Sequence, residues 1–560
     1  MEEFRIFGPP GTGKTSRLAT RDVPRAVDRF GPEKVMITSF TRAAAAEIAS
    51  KKSRETGLPI EVAEQNVGTL HSICYHAMGQ PKIVEVDYVK EWNDKHPALA
   101  VTGHKSGSFD NAIDDAGTPT EQGDAQLSLM NIYRNKIIPE SMWHMSVQQF
   151  KLKWEAFKKD IDAVDFTDLI ENAINDLPYA PGSPEVLFVD EAQDFTRLQL
   201  KLARNWGMEM KWIVLVGDDD QTIYRFTGAD PYAFLLPPVA DNRKTVLKQS
   251  YRIPQCVLER SKKLIEQIND REPKQYMARR EHYPDGPTVA GQINERDFGY
   301  NKPETMIKEA VDYAAAGKEV MILTSCSYML NQIKHELKLN GIPFGNPYRT
   351  TRGDWNPLSS KTGGVSAKDL LINFKSSGPQ EPYWNVPQFI NWVQFVKTGP
   401  NGTIRRKAKK FIKALKQAVK DNQPGLHSSK NMIDKILSPD AITPALDRNV
   451  DWLVDNLVKS RITSIQYPIK VFDKFGMEAI VEPPKITIGT IHSVKGAEAD
   501  VVYLFPDISW QATKEYDTQV GRDSIHRVFY VGMTRTKEIL NLGEAASSSP
   551  YKQNKPSVVL

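Results

Sequence analysis

The sequence predicts an α/β protein with two cores in tandem, each built on a parallel β-sheet and each interrupted by a mainly helical insertion. The chain has 560 residues, whereas a single hydrophobic core stops growing at ~250–300 residues. Short apolar runs recur in two groups, within 1–250 and 319–545. Helical patterns follow these runs, which indicates βαβ units and hence parallel sheets.

Each predicted strand is a continuous run of apolar residues rather than an alternating pattern. Such runs are typical of parallel strands that are buried on both faces. The runs are FRIF (4–7), KVMITSF (34–40), EVLFVD (185–190), KWIVLVGD (211–218), EVMILTS (319–325) and DVVYLF (500–505).

Two long stretches lack such runs, and each is predicted to form one of the helical insertions. The first carries a Gly/Ser/Asp/Thr-rich patch near 102–124, which predicts a mobile loop, and the second has helical patterns and several tryptophans. The polar C-terminal tail is predicted to be disordered. The predicted division is 1–80 with 168–258 for the first core, 81–167 for its insertion, 259–346 with 481–544 for the second core, 347–480 for its insertion, and 545–560 for the tail.

Composition excludes several classes of protein. Hydrophobic residues are 40% and charged residues 25% of the chain, which is typical of a globular protein and excludes wholesale disorder. The net charge of +4 is too small for a bulk polyanion binder, so a nucleic-acid surface has to be a local cluster. The three cysteines form no CxxC pair, which argues against a zinc ribbon or a disulfide framework. Without a signal peptide or a membrane-spanning run, the sequence predicts an intracellular protein with no membrane contact.

A phosphate-binding loop follows the first predicted strand. The segment GPPGTGKT matches GxxxxGK[ST] and precedes a helical pattern, which is the context that this motif requires. Glycines let backbone N–H groups curl around phosphate oxygens, and the helix N-terminus adds positive potential. Lys14 is predicted to bind the β- and γ-phosphates, and Thr15 to ligate Mg²⁺. The predicted nucleotide-binding residues are Gly8, Pro9, Pro10, Gly11, Thr12, Gly13, Lys14 and Thr15.

Two carboxylates follow the strand EVLFVD, in the segment VDEAQD (189–194). Asp190 is predicted to hold Mg²⁺, and Glu191 to accept a proton from the attacking water, which indicates hydrolysis. The alternative is an ordinary acidic first turn of a helix. The phosphate-binding loop upstream favours the catalytic interpretation.

Nine segments follow one another along the chain in a fixed order. They are ITSFTRAAAAEIASK (37–51), GTLHSICYH (68–76), DFTDLI (165–170), VDEAQDFTRLQ (189–199), VGDDDQTIYRFTGAD (216–230), LKQSYRIP (247–254), VMILTSCSYMLNQIKHELKLNGIPF (320–344), ITIGTIHSVKGAEADVVYL (486–504) and HRVFYVGMTRTKE (526–538). They resemble motifs Ia and Ib, the return to the first core, and motifs II, III, IV, IVa, V and VI of a superfamily 1 helicase of the UvrD/Rep/PcrA group. The resemblance covers nearly the whole chain and implies two tandem RecA-like P-loop domains that use ATP and Mg²⁺.

The resemblance also implies roles for residues around the nucleotide. Gln221 would sense the γ-phosphate and couple it to DNA, and Tyr251 would stack on the adenine. Glu498 would hold the ribose. Arg252 and Arg535 would act as arginine fingers, because a planar guanidinium suits the charge of the transition state.

The same motifs imply which residues contact DNA. Phe40 and Phe226 stand where the family places base-stacking aromatics, and stacking tolerates every base. The alternative for both is an ordinary core aromatic. The residues implied to contact DNA are Phe40, Thr41, Arg42, His71, Tyr224, Phe226, His492 and Lys495. The implied partners are single-stranded DNA and junctions between single and double strands, whereas the sequence identifies no protein partner.

The chain departs from the family pattern at several positions. Only seven residues precede Gly8, and the glutamine-bearing Q motif of the family is expected to be absent. Fewer residues therefore indicate a preference for adenine than indicate ATP hydrolysis. Phe226 and Thr227 stand where the family has a Trp–Arg pair, which removes one cationic DNA contact. A compact, divergent form of this kind suits a phage or mobile element. The expected location is the cytoplasm of a bacterial cell or of a phage-infected host.

The predicted function is an ATP-dependent DNA helicase and single-strand translocase of 3′–5′ polarity, in a family that serves DNA repair and replication. An alternative is a nucleic-acid-stimulated ATPase that strips proteins or remodels nucleic acid without processive unwinding. A P-loop kinase or GTPase-like switch is disfavoured, because it needs no arginines from a second core. The basic segment TIRRKAKKFIKALKQAVK (403–420) has helical apolar spacing and either follows duplex phosphates or is a solvated helix face.

Overall fold

The computed structural model contains two parallel β-sheets, and the predicted fold class is confirmed. The structure describes residues 2–560 except 58–59, 61–65, 104–120, 351, 361–363, 379–380, 399–402, 406, 422–427, 547–557 and 559, with the side chains at 42–43 and 55–56 also outside it. No helix in this described part is long and apolar enough to cross a bilayer.

The first sheet has six parallel strands in the order β3-β2-β4-β5-β1-β6. The strands are β1 (Glu2–Phe7), β2 (Val35–Ser39), β3 (Val67–Gly68), β4 (Val186–Asp190), β5 (Trp212–Gly217) and β6 (Lys244–Val246). β2 and β4 are buried along their whole length, as the apolar runs predict. Because β1 lies between β5 and β6, the segments that follow these three strands meet at one edge of the sheet.

The second sheet has five parallel strands in the order β7-β11-β10-β8-β9. The strands are β7 (Gln292–Glu295), β8 (Val320–Thr324), β9 (Ile486–Thr490), β10 (Ala499–Leu504) and β11 (Thr536–Leu542). The apolar runs predict β8 and β10, while β7, β9 and β11 are further strands of this sheet.

Helices cover the sheets and form the insertions. In chain order they are α1 (Lys14–Arg17), α2 (Val23–Phe30), α3 (Arg42–Thr56), α4 (Leu70–Ala77), α5 (Val84–Asp87), α6 (Val89–Lys95), α7 (Gln122–Asn135), α8 (Met145–Asp160), α9 (Phe166–Asp176), α10 (Arg197–Gly207), α11 (Pro231–Leu235), α12 (Gln255–Ile265), α13 (Glu304–Ala315), α14 (Leu330–Leu339), α15 (Ala367–Lys375), α16 (Val386–Val393), α17 (Ala408–Lys420), α18 (Lys430–Ile436), α19 (Pro439–Leu446), α20 (Val450–Asn456), α21 (Lys459–Phe475), α22 (Glu478–Val481), α23 (Trp510–Tyr516) and α24 (Gln519–Met533). A π-helical turn, Leu18–Asp22, joins α1 to α2.

The first insertion has a small core of its own, which includes Trp92 and Trp154. A buried ion cluster ties it to the start of α9. Asp165 accepts hydrogen bonds from Arg134 at 2.8 Å and from Lys158 at 2.9 Å. Because two cations share one buried carboxylate, the pKa of Asp165 is lowered against the effect of its burial. The patch that predicts a mobile loop lies mostly at 104–120, outside the described residues.

The second insertion shares a core with one face of the second sheet, where Trp384 and Trp392 are fully buried. Its basic segment contains α17, whose apolar face buries Ala408, Ile412 and Leu415. Lysines 409, 410 and 413 are exposed on this helix. The amphipathic helix predicted for 403–420 is therefore present over 408–420, and both interpretations of its basic face stay open.

The predicted disordered tail falls mainly on 547–557 and 559, which lie outside the described part of the chain. Two residues near its end are described. Val558 is buried against the large core that joins the two sheets, and the carbonyl oxygen of Leu560 accepts a hydrogen bond from Arg260 Nε at 2.9 Å.

Candidate active site and nucleic-acid interface

The phosphate-binding loop joins β1 to α1 at the edge where β5 and β6 also end. Gly11 and Gly13 have φ values of 71° and 73°, a left-handed conformation that favours glycine. A Cβ on Gly8 would lie 2.0 Å from Lys14 Cγ, and one on Gly11 would lie 2.5 Å from Arg252 Cβ. Lys14 Nζ donates to the carbonyl oxygen of Gly8 at 3.0 Å. The loop thus forms a tight backbone cradle with one ammonium group folded over it.

Two carboxylates lie beside this cradle, at the end of β4. Thr15 Oγ1 donates to Asp190 Oδ2 at 3.1 Å, and Glu191 lies 3.9 Å from Lys14 Nζ. Burial and the neighbouring Glu191 raise the pKa of Asp190 to about 7. Burial acts the same way on Glu191, but Lys14 and Lys495 outweigh it and lower the pKa of Glu191.

The pair of Thr15 and Asp190 fits a divalent cation. Asp190 is fully buried, and its Oδ1 atom has no hydrogen-bond partner among the described residues. Buried carboxylate oxygens are rarely left unpaired, and Mg²⁺ prefers one or two carboxylates with a hydroxyl and phosphate oxygens. The donor set is therefore one that Mg²⁺ accepts.

Arg535 extends from the second core into the cleft between the cores. Its side chain is held by carbonyl oxygens of its own core, with Nε on Val531 at 3.0 Å and Nη1 on Ala497 at 3.1 Å. Its Nη2 donates to Gln221 Oε1 of the first core at 3.3 Å. The implied arginine finger and the implied γ-phosphate sensor are therefore in direct contact.

Arg252 follows β6 of the first sheet, so it does not come from the second core as expected of both arginine fingers. It pairs with Glu498 across the same cleft. Arg252 Nε donates to Glu498 Oε2 at 2.6 Å, and its Nη1 to the Thr534 carbonyl oxygen at 3.4 Å. Tyr251 is anchored by its backbone N–H on the Gly11 carbonyl oxygen at 2.8 Å, and its ring is 55% exposed. The exposed ring thus lies directly beside the phosphate cradle.

A buried cation holds the acidic part of motif III. The Lys274 side chain is 1% exposed, and its Nζ lies 3.0, 2.5 and 3.0 Å from the carboxylates of Asp218, Asp219 and Asp220. Arg271 contacts both oxygens of Asp220, at 2.8 and 2.5 Å. Neither cation is among the predicted site residues, because the segment NDREPK (269–274) reads as a charged surface loop.

One further hydrogen bond connects the ion pair of Lys274 and Asp218 to Gln221, the implied γ-phosphate sensor. Asp218 Oδ2 accepts from Gln221 Nε2 at 2.7 Å. The amide of Gln221 is thereby fixed, with its oxygen toward Arg535.

Lys495 bridges the cores deep in the cleft. Its Nζ lies 2.6 and 2.5 Å from the two carboxylate oxygens of Asp194 and 2.8 Å from the Gln221 carbonyl oxygen. Its side chain is 9% exposed. The sequence predicts a DNA contact for Lys495, but the structure directs this cation toward motif II, because Asp194 is buried and requires a counter-ion.

An aromatic cluster lies on the other side of motif III. Tyr224 stacks on Phe40 with ring centroids 5.3 Å apart, and Phe226 meets the His492 ring at 5.5 Å. Phe40 is 7% exposed and also packs against Phe195, whereas Phe226 is only partly buried. In this conformation the ring available to a base is that of Phe226.

Two family models match the chain along both cores. The UvrD/REP helicase N-terminal domain matches residues 2–237, and the UvrD-like helicase C-terminal domain matches residues 471–546. The chain belongs to the UvrD/Rep/PcrA-type superfamily 1 helicases. As a UvrD-like helicase it is an ATP-dependent enzyme that acts on DNA.

Relatives of this UvrD-like helicase are distant in sequence. YjcD of Bacillus subtilis is 24% identical over 368 aligned residues, which cover 60% of this chain and 46% of YjcD. The ATP-dependent DNA helicase PcrA of Staphylococcus epidermidis is 21% identical over 623 aligned residues, 99% of this chain and 83% of PcrA. PcrA of Staphylococcus aureus is also 21% identical, over 644 aligned residues with the same coverage.

The remaining predicted DNA contacts of the helicase lie around α3, α4 and motif V. Thr41 Oγ1 caps α3 by accepting from the Ala44 N–H at 3.2 Å. Arg42 begins this helix, and its side chain lies outside the described part. Burial lowers the pKa of both His71 and His492 to about 4. Both rings are therefore neutral near pH 7. His492 Nε2 lies 3.2 Å from the Ile223 carbonyl oxygen.

Proposed function

We propose that this helicase is a 3′–5′ single-strand DNA translocase that separates strands at junctions between single- and double-stranded DNA. The cleft between its cores hydrolyses ATP, with Lys14 on the phosphates, Glu191 as the general base and Arg252 and Arg535 as arginine fingers. Tyr251 and Glu498 hold the adenine and the ribose. The polarity and the junction substrate come from the resemblance to the UvrD/Rep/PcrA group.

One observation supports coupling between the nucleotide cleft and the aromatic cluster around Phe226. The short segment 218–227 contributes both Gln221, which contacts Arg535 at 3.3 Å, and Phe226, whose ring lies 5.5 Å from that of His492. A movement of the second core toward the nucleotide would therefore displace His492 relative to Phe226. Ligand-driven closure of two domains is a common form of such coupling.

Magnesium is part of this proposal. Thr15 and Asp190 would hold the ion, which would neutralise charge on the phosphates when bound. The unpaired Oδ1 atom of Asp190 supports this assignment. Glu191 would stay outside the ion's ligands and orient the attacking water.

We also propose the predicted division of the chain into two cores and two insertions. The separate hydrophobic core around Trp92 and Trp154 supports 81–167 as a unit. The run of helices from α15 to α22 between β8 and β9 supports 347–480.

Strand displacement tests the proposed function. The substrates are three duplexes of one sequence, with a 3′ single-stranded tail, with a 5′ tail, and with blunt ends, each incubated with enzyme, ATP and Mg²⁺. We expect displacement of the 3′-tailed duplex alone, with Glu191→Gln as the inactive control. Displacement of the 5′-tailed duplex alone would contradict the polarity. ATP hydrolysis without displacement of any duplex would favour the remodelling ATPase.

A further inference from the structure

The nucleotide cleft extends beyond the phosphate cradle into an open cavity of about 790 Å³. The phosphate-binding loop forms one wall, and the segment after β6 forms the opposite wall. The side chains that concern the base are Gln249, Tyr251, Met277 and Tyr283. Tyr283 comes from neither wall and lies outside the nine helicase-like segments of the chain.

Tyr283 lies at the tip of a short hairpin that reaches over this cavity. The hairpin is held by a hydrogen bond from Val289 N–H to the Arg279 carbonyl oxygen at 2.8 Å and by one from Glu281 N–H to the Pro287 carbonyl oxygen at 3.0 Å. Arg279 N–H donates to the Ile253 carbonyl oxygen at 2.7 Å, so the base of the hairpin is fixed two residues after Tyr251. The hairpin therefore positions its tip against the nucleotide wall.

The two tyrosines form an aromatic corner. Their ring centroids are 5.5 Å apart and their planes are inclined by 79°. Both rings are open to solvent, with Tyr251 55% and Tyr283 54% exposed. A flat base that lies parallel to one ring is nearly perpendicular to the other, so it gains a stacked contact and an edge-to-face contact together, both of which are favourable arrangements.

Two polar side chains near the corner, Gln249 and Arg17, are partly engaged by the protein. Gln249 donates through Nε2 to the carbonyl oxygens of Ser250 and Ala278, both at 2.7 Å. Arg17 donates to Asp22 at 2.9 Å. The Nε2 group of Gln249 and the Nε group of Arg17 are thus engaged, whereas Gln249 Oε1 has no hydrogen-bond partner among the described residues and the two aromatic rings are open to solvent.

We propose that Tyr283 is a second nucleobase-contacting residue of this enzyme, and that the Tyr251–Tyr283 corner selects purine nucleoside triphosphates by stacking area. This inference rests on the proposed ATP site. Stacking does not require a hydrogen-bond pattern, so the corner holds the larger purine more tightly than a pyrimidine. The hairpin brings the second ring to a site whose first ring is adjacent to the phosphate cradle.

Calorimetric binding of ADP, CDP and inorganic tripolyphosphate to full-length variants tests the proposal. We expect Tyr283→Ala to weaken ADP binding about tenfold, the size of one aromatic contact, and to bring ADP and CDP affinities closer together. Tripolyphosphate has no base, so its affinity should match that of wild type. Tyr283→Phe keeps the ring and should bind ADP normally, and His282→Ala, an exposed neighbour on the same turn, is the matched control.

The outcomes separate this inference from the proposed ATP site. Unchanged ADP affinity in Tyr283→Ala, or an equal loss for ADP and tripolyphosphate, would overturn the role of Tyr283 in base contact. A loss in Tyr283→Phe as large as that in Tyr283→Ala would assign the effect to the hydroxyl group and overturn stacking. Lys14→Ala should weaken ADP and tripolyphosphate alike, and wild-type affinity in that variant would contradict the proposed ATP site itself.

Discussion

Arg535→Ala should slow ATP hydrolysis by roughly 10³-fold or more while leaving ATP binding nearly intact. An arginine finger stabilises charge that develops only in the transition state, and such residues contribute about 10³–10⁵ in rate. Arg535 is well placed for this role, because carbonyl oxygens of Val531 and Ala497 hold its guanidinium in the cleft. Single-turnover hydrolysis with saturating ATP and DNA measures the effect.

Two further variants show whether the loss of rate in Arg535→Ala comes from the planar guanidinium at this position. Arg535→Lys keeps the charge but loses the planar fork, so it should recover only a small part of the rate. Arg522→Ala changes an arginine of α24, the helix that precedes Arg535. The Arg522 guanidinium packs over the Tyr516 ring, and the variant should hydrolyse ATP normally. Hydrolysis at the wild-type rate by Arg535→Ala would mean that the cleft between the cores is not the catalytic site.

Glu191→Gln should lower the rate of hydrolysis by about 10²–10⁴, the usual contribution of a general base. The amide preserves the shape of the side chain but cannot accept the proton of the attacking water. The phosphate cradle and Lys14 remain, so nucleotide binding should persist. Rapid-quench hydrolysis and calorimetric ADP binding on the same preparation separate the two quantities.

Lys14→Ala is the comparison for Glu191→Gln. It removes the ammonium group that lies over the cradle, so both binding and hydrolysis should fail. Normal turnover in Glu191→Gln would overturn the assignment of the general base, and tight ADP binding in Lys14→Ala would overturn that of the phosphate-binding lysine.

The strands that could be predicted are those buried along most of their length. β2, β4 and β8 carry apolar side chains on both faces, and each is visible as a continuous run. β11 was missed, because Lys537 and Glu538 near its start suggest a loop. In the structure Lys537 pairs with Asp500 at 2.9 Å, so this charged side chain has a counter-ion where the strand begins.

The candidate site also has a part that the sequence predicts and a part that it does not. The phosphate loop and the carboxylates of motif II are contiguous in the chain, so local sequence was enough to predict them. The partners of motif III come from a segment about fifty residues later, and the charge pattern alone does not distinguish Lys274 from a surface lysine. Tyr283 was also missed, since its position depends on a hairpin that no periodic pattern indicates.

The direct test of coupling between the nucleotide and DNA sites is the steady-state rate of ATP hydrolysis with and without single-stranded DNA. We expect a saturating oligonucleotide to raise this rate by about tenfold or more, the size of a typical coupling free energy between two sites. The reason is that Gln221 and Phe226 belong to one short segment, so DNA at the aromatic cluster acts on the cleft. Equal rates of hydrolysis with and without DNA would contradict coupling between the nucleotide and DNA sites.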